Sequence, residues 1–231
     1  MFQDLIKKLQ TYSVDITDES VLKQAFIHRS YLNEVRDRAL TSNERLEFLG
    51  DSVLSLIVSH YLYVKFPDIP EGQLTNYRSS VVKTTSLAIS ARELGLGQFL
   101  HMAKGESDSG GKENPSLLAD TYEALLGVIY LYKGFDTARE FVIGTLLIRL
   151  DEIIATGKYR DYKSVFQEVV QEKYRMSPIY SVVSTTGPDH AKEFEVAVLV
   201  NDTRYGIGKG KSKQEAEQMA AQAALDAWPR A

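Results

Sequence analysis

The chain has 231 residues, long enough for one sizeable core and a second small domain. Its hydrophobic and charged fractions, 44% and 25%, exclude disordered and fibrous classes, and the absence of cysteine excludes a disulfide framework, a thiolate zinc site and a cysteine nucleophile. The net charge of −4 speaks against a nucleic-acid partner, because phosphate binding runs on Lys and Arg displacing counterions, but acids committed to metal ions would make that sum misleading.

The opening MFQDLIKKLQ has no apolar run of signal-peptide length, and the apolar stretch 53–66 is broken by Ser55, Ser59, His60 and Lys65. A cytoplasmic protein with no membrane partner is expected. Residues 1–150 read as all-α: apolar positions recur at three and four in VLKQAFIHRSYL, LEFLGDSVLSLIVSHYLYVKF, LTNYRSSVVKTTSLAISARELG, ARELGLGQFL and SLLADTYEALLGVIYLY. Breakers fall at 67–72, at Gly95 and Gly97, across 105–115 and at Gly134. The stretch KGESDSGGKENPS is read as a mobile surface loop. Its Gly-Gly-Lys is no phosphate-cradling loop, because the Lys is one place late and Glu113 stands where Ser or Thr is needed.

Residues 151–160 are read as a linker, after which the pattern changes. DYKSVFQEVVQEKY, from 161 to 174, fits a helix with Val165, Phe166, Val169 and Val170 inward. IYSVVSTT, EFEVAVLV and TRYGIGKG alternate with the period of strands and are separated by turn formers at Gly187-Pro188-Asp189 and Asn201-Asp202. SKQEAEQMAAQAALDAW is a strong helix with Ala216, Met219, Ala220, Ala223 and Leu225 along it. The second domain, 161–231, is therefore a small α+β unit of order α-β-β-β-α.

The helix from about 44 to 66 is apolar nearly all round, which marks it as buried, yet Glu47 and Asp51 interrupt it four residues apart on one face. Asp120 and Glu123 interrupt a second apolar helix three apart. Buried carboxylates without partners cost several kcal/mol each. Mg²⁺, a hard cation that takes oxygen ligands, answers that cost. The alternative is structural pairing with Arg45, Arg78 or Arg92, or a solvated face, and periodicity leaves both open. His28, His60 and His101 show no ligand spacing and read as ordinary surface or core histidines.

The string NERLEFLGDS, Asn43 to Ser52, resembles the signature of ribonuclease III at every place. HRSYLNE from His28, PEGQLTNYR from Pro70 and LLADTYEALLGVIYL from Leu117 resemble the family's other blocks in order and spacing. The resemblance covers practically the whole chain, since 161–231 is similar to the double-stranded RNA-binding domain that follows the nuclease domain, 1–150, in bacterial members. One departure is Tyr132, where many members carry an acid.

That resemblance implies a Mg²⁺-dependent endoribonuclease, with Mn²⁺ able to substitute and no small-molecule cofactor. It would hydrolyse phosphodiester bonds in double-stranded RNA, leaving 5′-phosphate ends and short 3′ overhangs, in rRNA and mRNA processing. It implies Glu47, Asp51, Asp120 and Glu123 as the metal-site acids, with Asp51 and Glu123 catalytic, and two centres in one valley across a homodimer. Glu44 and Glu71 match acids placed along that valley, and each is equally an ordinary solvated acid. Phe48, facing away from the acids, reads as interface or core.

In the second domain nine Lys and Arg stand against ten Asp and Glu, so bulk charge does not make it basic. Lys209, Lys211 and Lys213 nevertheless cluster where Ser212 can cap a helix, with free N–H groups facing the same way. Taken alone, these read as a solvated helix start. By resemblance they meet phosphate, while Ser164, Gln167, Glu168 and His190 touch minor-groove 2′-hydroxyls of A-form RNA, with little sequence readout. Two rivals stand beside this reading. A non-enzymatic RNA binder would have no need of four acids in apolar helices, and a small-substrate phosphohydrolase would have no need of a reader of duplex shape.

Overall fold

The computed structural model describes residues 2–35, 39–155, 161–188 and 192–228. The chain forms two compact units, Met1–Tyr159 and Arg160–Ala231.

The first unit is helical. Its elements are α1 (Gln3–Gln10), α2 (Glu19–Ala25), α3 (Glu44–Lys65), α4 (Glu71–Val82), α5 (Thr84–Leu94), α6 (Lys104–Asp108), α7 (Pro115–Thr145) and α8 (Leu150–Ala155). Local chemistry sets their ends. Asp18 accepts from Ser20 N–H at 2.9 Å to cap α2, and Asn114 accepts from Ser116 N–H ahead of Pro115 to cap α7. Gly95, at φ 72°, closes α5 in the left-handed conformation. Gly134, at φ 79°, kinks α7 where the sequence places a breaker.

The centre of this unit is α3 packed along α7. A Cβ at Gly50 would overlap the carbonyl oxygen of Glu123, and one at Gly127 would overlap that of Leu46. The two glycines therefore let the backbones come closer than any side chain would permit, one on each helix. Around this contact Leu54, Ile57, Val58, Tyr122, Leu125 and Ile129 are fully enclosed.

Two expectations for this unit need correction, and one element was not singled out. The helix at 44–66 is buried on one side only: Phe48 is 76%, Leu56 59% and Tyr63 74% exposed, so its apolar residues include an outward row. KGESDSGGKENPS is not a free loop but α6 followed by a 3₁₀ turn, Gly111–Glu113, with Gly111 buried against Met102 and Glu106. α1, which the sequence reading passes over, buries Leu5, Ile6 and Leu9 beside Phe2, and so carries its own apolar stripe.

The second unit comprises α9 (Tyr162–Tyr174), β1 (Ile179–Thr186), β2 (Glu193–Val200), β3 (Thr203–Gly210) and α10 (Lys213–Ala227). The strands form one antiparallel sheet of order β1-β2-β3, with Ile179 opposite Leu199 and Val200 opposite Thr203. Asn201 and Asp202, at φ 48° and 60°, make the two-residue turn between β2 and β3. Gly206, Gly208 and Gly210 lie flat beneath Ala216, Ala220 and Ala224 of α10, which brings helix and strand into backbone contact. Phe166 and Val170 of α9 complete the core. Val165 and Met219, expected along the inward stripes, are exposed. No helix among the described residues is long and apolar enough to cross a membrane.

Candidate metal centre and nucleic-acid interface

The close approach of α3 and α7 sets the acids of one helix against those of the other. One carboxylate oxygen each of Glu47, Asp120 and Glu123 lies within 4.8 Å of the others. Among the described residues none of the three forms an ion pair, and Asp120 takes a hydrogen bond from its own backbone. Arg78 instead donates to Ser59 Oγ at 3.1 Å, and Arg92 pairs with Glu113, so the structural-pairing alternative finds no support in those two arginines.

The electrostatics follow from this crowding. Burial, with repulsion from Asp51, Asp120 and Glu47 behind it, pushes the Glu123 carboxyl up to about 8. Burial also raises Glu47, with Asp120, Glu44 and Asp51 adding to it. It raises Asp120 as well, against an opposing pull from His28. Such a cluster has no partner except protons or a cation, and its donor set is oxygen only, which suits a hard divalent ion. Asp51, the fourth expected acid, is exposed and stands outside the trio, although its charge reaches Glu123.

A cavity of about 390 Å³ opens beside the trio. Glu47 and Asp120 line it together with His28, Arg29, Asn43 and Glu44. Asn43 is held there by its side-chain bond to Ala25 O at 3.2 Å. Glu44 accepts from Ser42 Oγ at 2.8 Å and lies 3.7 Å from Arg29. Glu71 is elsewhere: exposed on α4, it accepts from Thr75 Oγ1 and lines a separate cavity with Tyr63 and Arg78. One protomer therefore does not bring the two valley acids together. Sequence reasoning missed His28 and Arg29 as wall residues. Their signal was the HRSYLNE block itself, whose partners lie far off in sequence.

In the second unit Ser164, Gln167 and Glu168 are exposed on α9. Ser164 also belongs to the α9 cap, donating its hydroxyl to Asp161 at 2.7 Å. A polar clamp ties this end of α9 to α10. Gln218 donates to Asp161 at 2.8 Å and accepts from Lys163 N–H at 3.2 Å, while Lys163 Nζ meets Glu217 at 2.6 Å. Ser212 caps α10 by accepting from Glu215 N–H, and the Glu215 carboxylate reaches back to accept from Lys211 N–H at 2.7 Å. Of the three lysines, Lys209 is 3.6 Å from Glu195, whereas Lys211 and Lys213 are exposed at the head of α10. His190 lies outside the described residues.

Residues 18–150 match a family described as ribonuclease-III-like, and residues 162–227 match the double-stranded RNA binding motif. Ribonuclease 3 of Borreliella burgdorferi is 44% identical over 223 residues, 96% of this chain and 91% of its own. That of Oceanobacillus iheyensis is 45% identical over 216 residues, 92% and 93% of the two chains. Among solved structures, the nuclease domain of ribonuclease III from Campylobacter jejuni, studied for flexibility in a region involved in dimer formation, is 38% identical. It covers 65% of this chain and 95% of its own at a TM-score of 0.55.

Proposed function

The chain belongs to the ribonuclease III family and is a double-stranded RNA endoribonuclease; from that premise we propose that it acts through Mg²⁺ held by Glu47, Asp120 and Glu123, with Asp51 at the rim. The observation that carries this reading is the convergence of three carboxylates from α3 and α7, two of which, Glu47 and Asp120, line one cavity. Mn²⁺ shares the preference for oxygen and would substitute. When bound, such an ion supplies Lewis acidity toward a phosphoryl oxygen and makes water a competent nucleophile near neutral pH.

The protein's own part is to hold the carboxylates in register and to give up a proton. Gly50 and Gly127 fix the distance between α3 and α7, and so the distance between acids. Glu123, protonated when the site is metal-free at neutral pH, releases its proton to ligate. Asp51 and Glu123 are the acids assigned to the reaction itself. Exposed Ser164, Gln167 and Glu168 read the minor groove, and by family resemblance His190 does too. Lys211 and Lys213, and Lys209 where its pairing with Glu195 yields, meet phosphate. This assignment puts the nuclease domain at 1–150 and the reader at 161–231; of the expected link 151–160, residues 151–155 instead belong to α8, whose Ile153 and Ile154 pack against the core of the first unit.

The exposed row Phe48, Leu56 and Tyr63 on α3 supports a homodimer through this face, as does the dimer-forming region of the Campylobacter jejuni nuclease domain. The products carry 5′ phosphates and short 3′ overhangs, and the site of action is the cytoplasm. A perfect RNA duplex incubated with Mg²⁺ or with EDTA tests the cofactor. Cleavage with Mg²⁺ alone is expected, and undiminished cleavage in EDTA would overturn the metal-dependent reading.

A further inference from the structure

The block HRSYLNE has no task in the account so far, yet it forms one wall of the acid cavity. His28 lines that cavity with Glu47 and Asp120, and Asp120 feels its charge. One edge of the ring is already engaged. Nδ1 lies 2.8 Å from Ser30 Oγ, accepts from Ser30 N–H at 3.3 Å and stands 3.2 Å from the Glu106 carboxylate. A neutral ring whose Nδ1 accepts from a backbone N–H carries its proton on Nε2, and an imidazolium held by Glu106 carries one there too. With Nδ1 accepting from Ser30 N–H, or with the ring charged, the opposite edge is an N–H donor, whereas a neutral ring protonated at Nδ1 would present an acceptor there.

The same block fixes the segment that bears Glu106. Ala103 N–H donates to Ser30 Oγ at 2.9 Å, and Lys104 N–H donates to both carboxylate oxygens of Glu34 at 3.1 Å. His28 N–H donates to His101 O, and His101 N–H donates to Phe26 O. Ser30, Glu34 and Glu106 thus form a brace with the ring at its tip. The cavity it faces is dominated by carboxylates, which repel a phosphodiester. Entry of one demands donors on the facing side. Arg29 is exposed at the mouth and near Glu44, whereas His28 is held in place.

We propose that His28 contacts the substrate, its Nε2–H donating to a non-bridging oxygen of the scissile phosphodiester, and that Ser30, Glu34 and Glu106 are positioning residues acting through it. This rests on the acid cluster being the hydrolytic site. Single-turnover cleavage of an RNA duplex in Mg²⁺, paired with duplex affinity in EDTA and thermal midpoints, tests it with His28→Ala, His28→Gln and Glu106→Gln. A fixed donor to developing phosphoryl charge is worth at least about tenfold in rate. His28→Ala should lose that factor with affinity unchanged, and His28→Gln, which keeps an N–H donor, should regain part of it. Glu106→Gln should slow the wild-type protein but not the His28→Ala variant. Wild-type rates in His28→Ala, with Glu123→Gln inactive, would overturn the assignment. So would equal losses in the Ala and Gln variants that track lowered thermal midpoints, since these mark a structural ring. Wild-type turnover by Glu123→Gln would remove the acid-cluster reading itself, and this one with it.

Discussion

At the scale of single residues, Glu123 joins burial to chemistry. Burial and then its neighbours Asp51, Asp120 and Glu47 push its carboxyl up to about 8, so in the metal-free protein it holds its proton through neutral pH. A raised folded-state pKa contributes stability that is fully present below the unfolded value near 4.5 and is lost as pH rises through about 8. A divalent cation competes with that proton. Mg²⁺ affinity measured by calorimetry should therefore rise by up to about tenfold per pH unit as pH approaches 8, and level off above it. A flat profile between pH 6 and pH 9 would contradict the role of Glu123 as ligand. The trio was legible in the sequence because carboxylates in apolar helices are anomalies that demand partners. Asp51 shows where that inference stops: an acid in an apolar helix need not be a buried acid, since the pattern does not say which side is covered. His28 was read as an ordinary histidine because its partner Glu106 is brought to it only by the fold.

At the scale of elements, the three strands were readable residue for residue, because period-two alternation and the Asn201-Asp202 turn are local signals. The 104–113 segment was misread because its order comes from Glu34, Ser30 and Met102, not from its own Gly- and Ser-rich composition. Val165 and Met219 were misplaced because a stripe counted on a short helix tolerates a neighbour on the wrong side. The head of α10 carries a prediction of its own. Lys211 and Lys213 are exposed beside a capped helix start, and each phosphate neutralised adds about 0.9 to the log-log salt slope on B-DNA, with a similar order on duplex RNA. Lys211→Ala with Lys213→Ala should weaken binding about equally for all duplex sequences and lower the slope by about one to two, with cleavage surviving at low salt and high Mg²⁺. An unchanged slope would make these lysines a solvated helix start. Loss of cleavage at low salt with binding retained would contradict the division of labour between the two units.

At the scale of the whole molecule, the formal charge of −4 hides a division: acids gathered on α3 and α7, and lysines gathered at the head of α10. Composition alone could not show this, since both units carry more acids than bases. The outward row on α3 extends the account to a second copy. Light scattering should show a dimer at micromolar concentration without RNA, and Phe48→Glu should shift it toward monomer. A monomeric wild-type protein would contradict the assignment of that face. The central claim, that the acids of α3 and α7 perform hydrolysis while the second unit holds the duplex, is tested most directly by Glu123→Gln, with cleavage and binding measured on one RNA duplex. The account predicts that cleavage in Mg²⁺ is abolished while duplex affinity stays within about twofold of wild type, because the change removes one carboxylate from the acid cluster and no RNA contact. Wild-type turnover by this variant would contradict it.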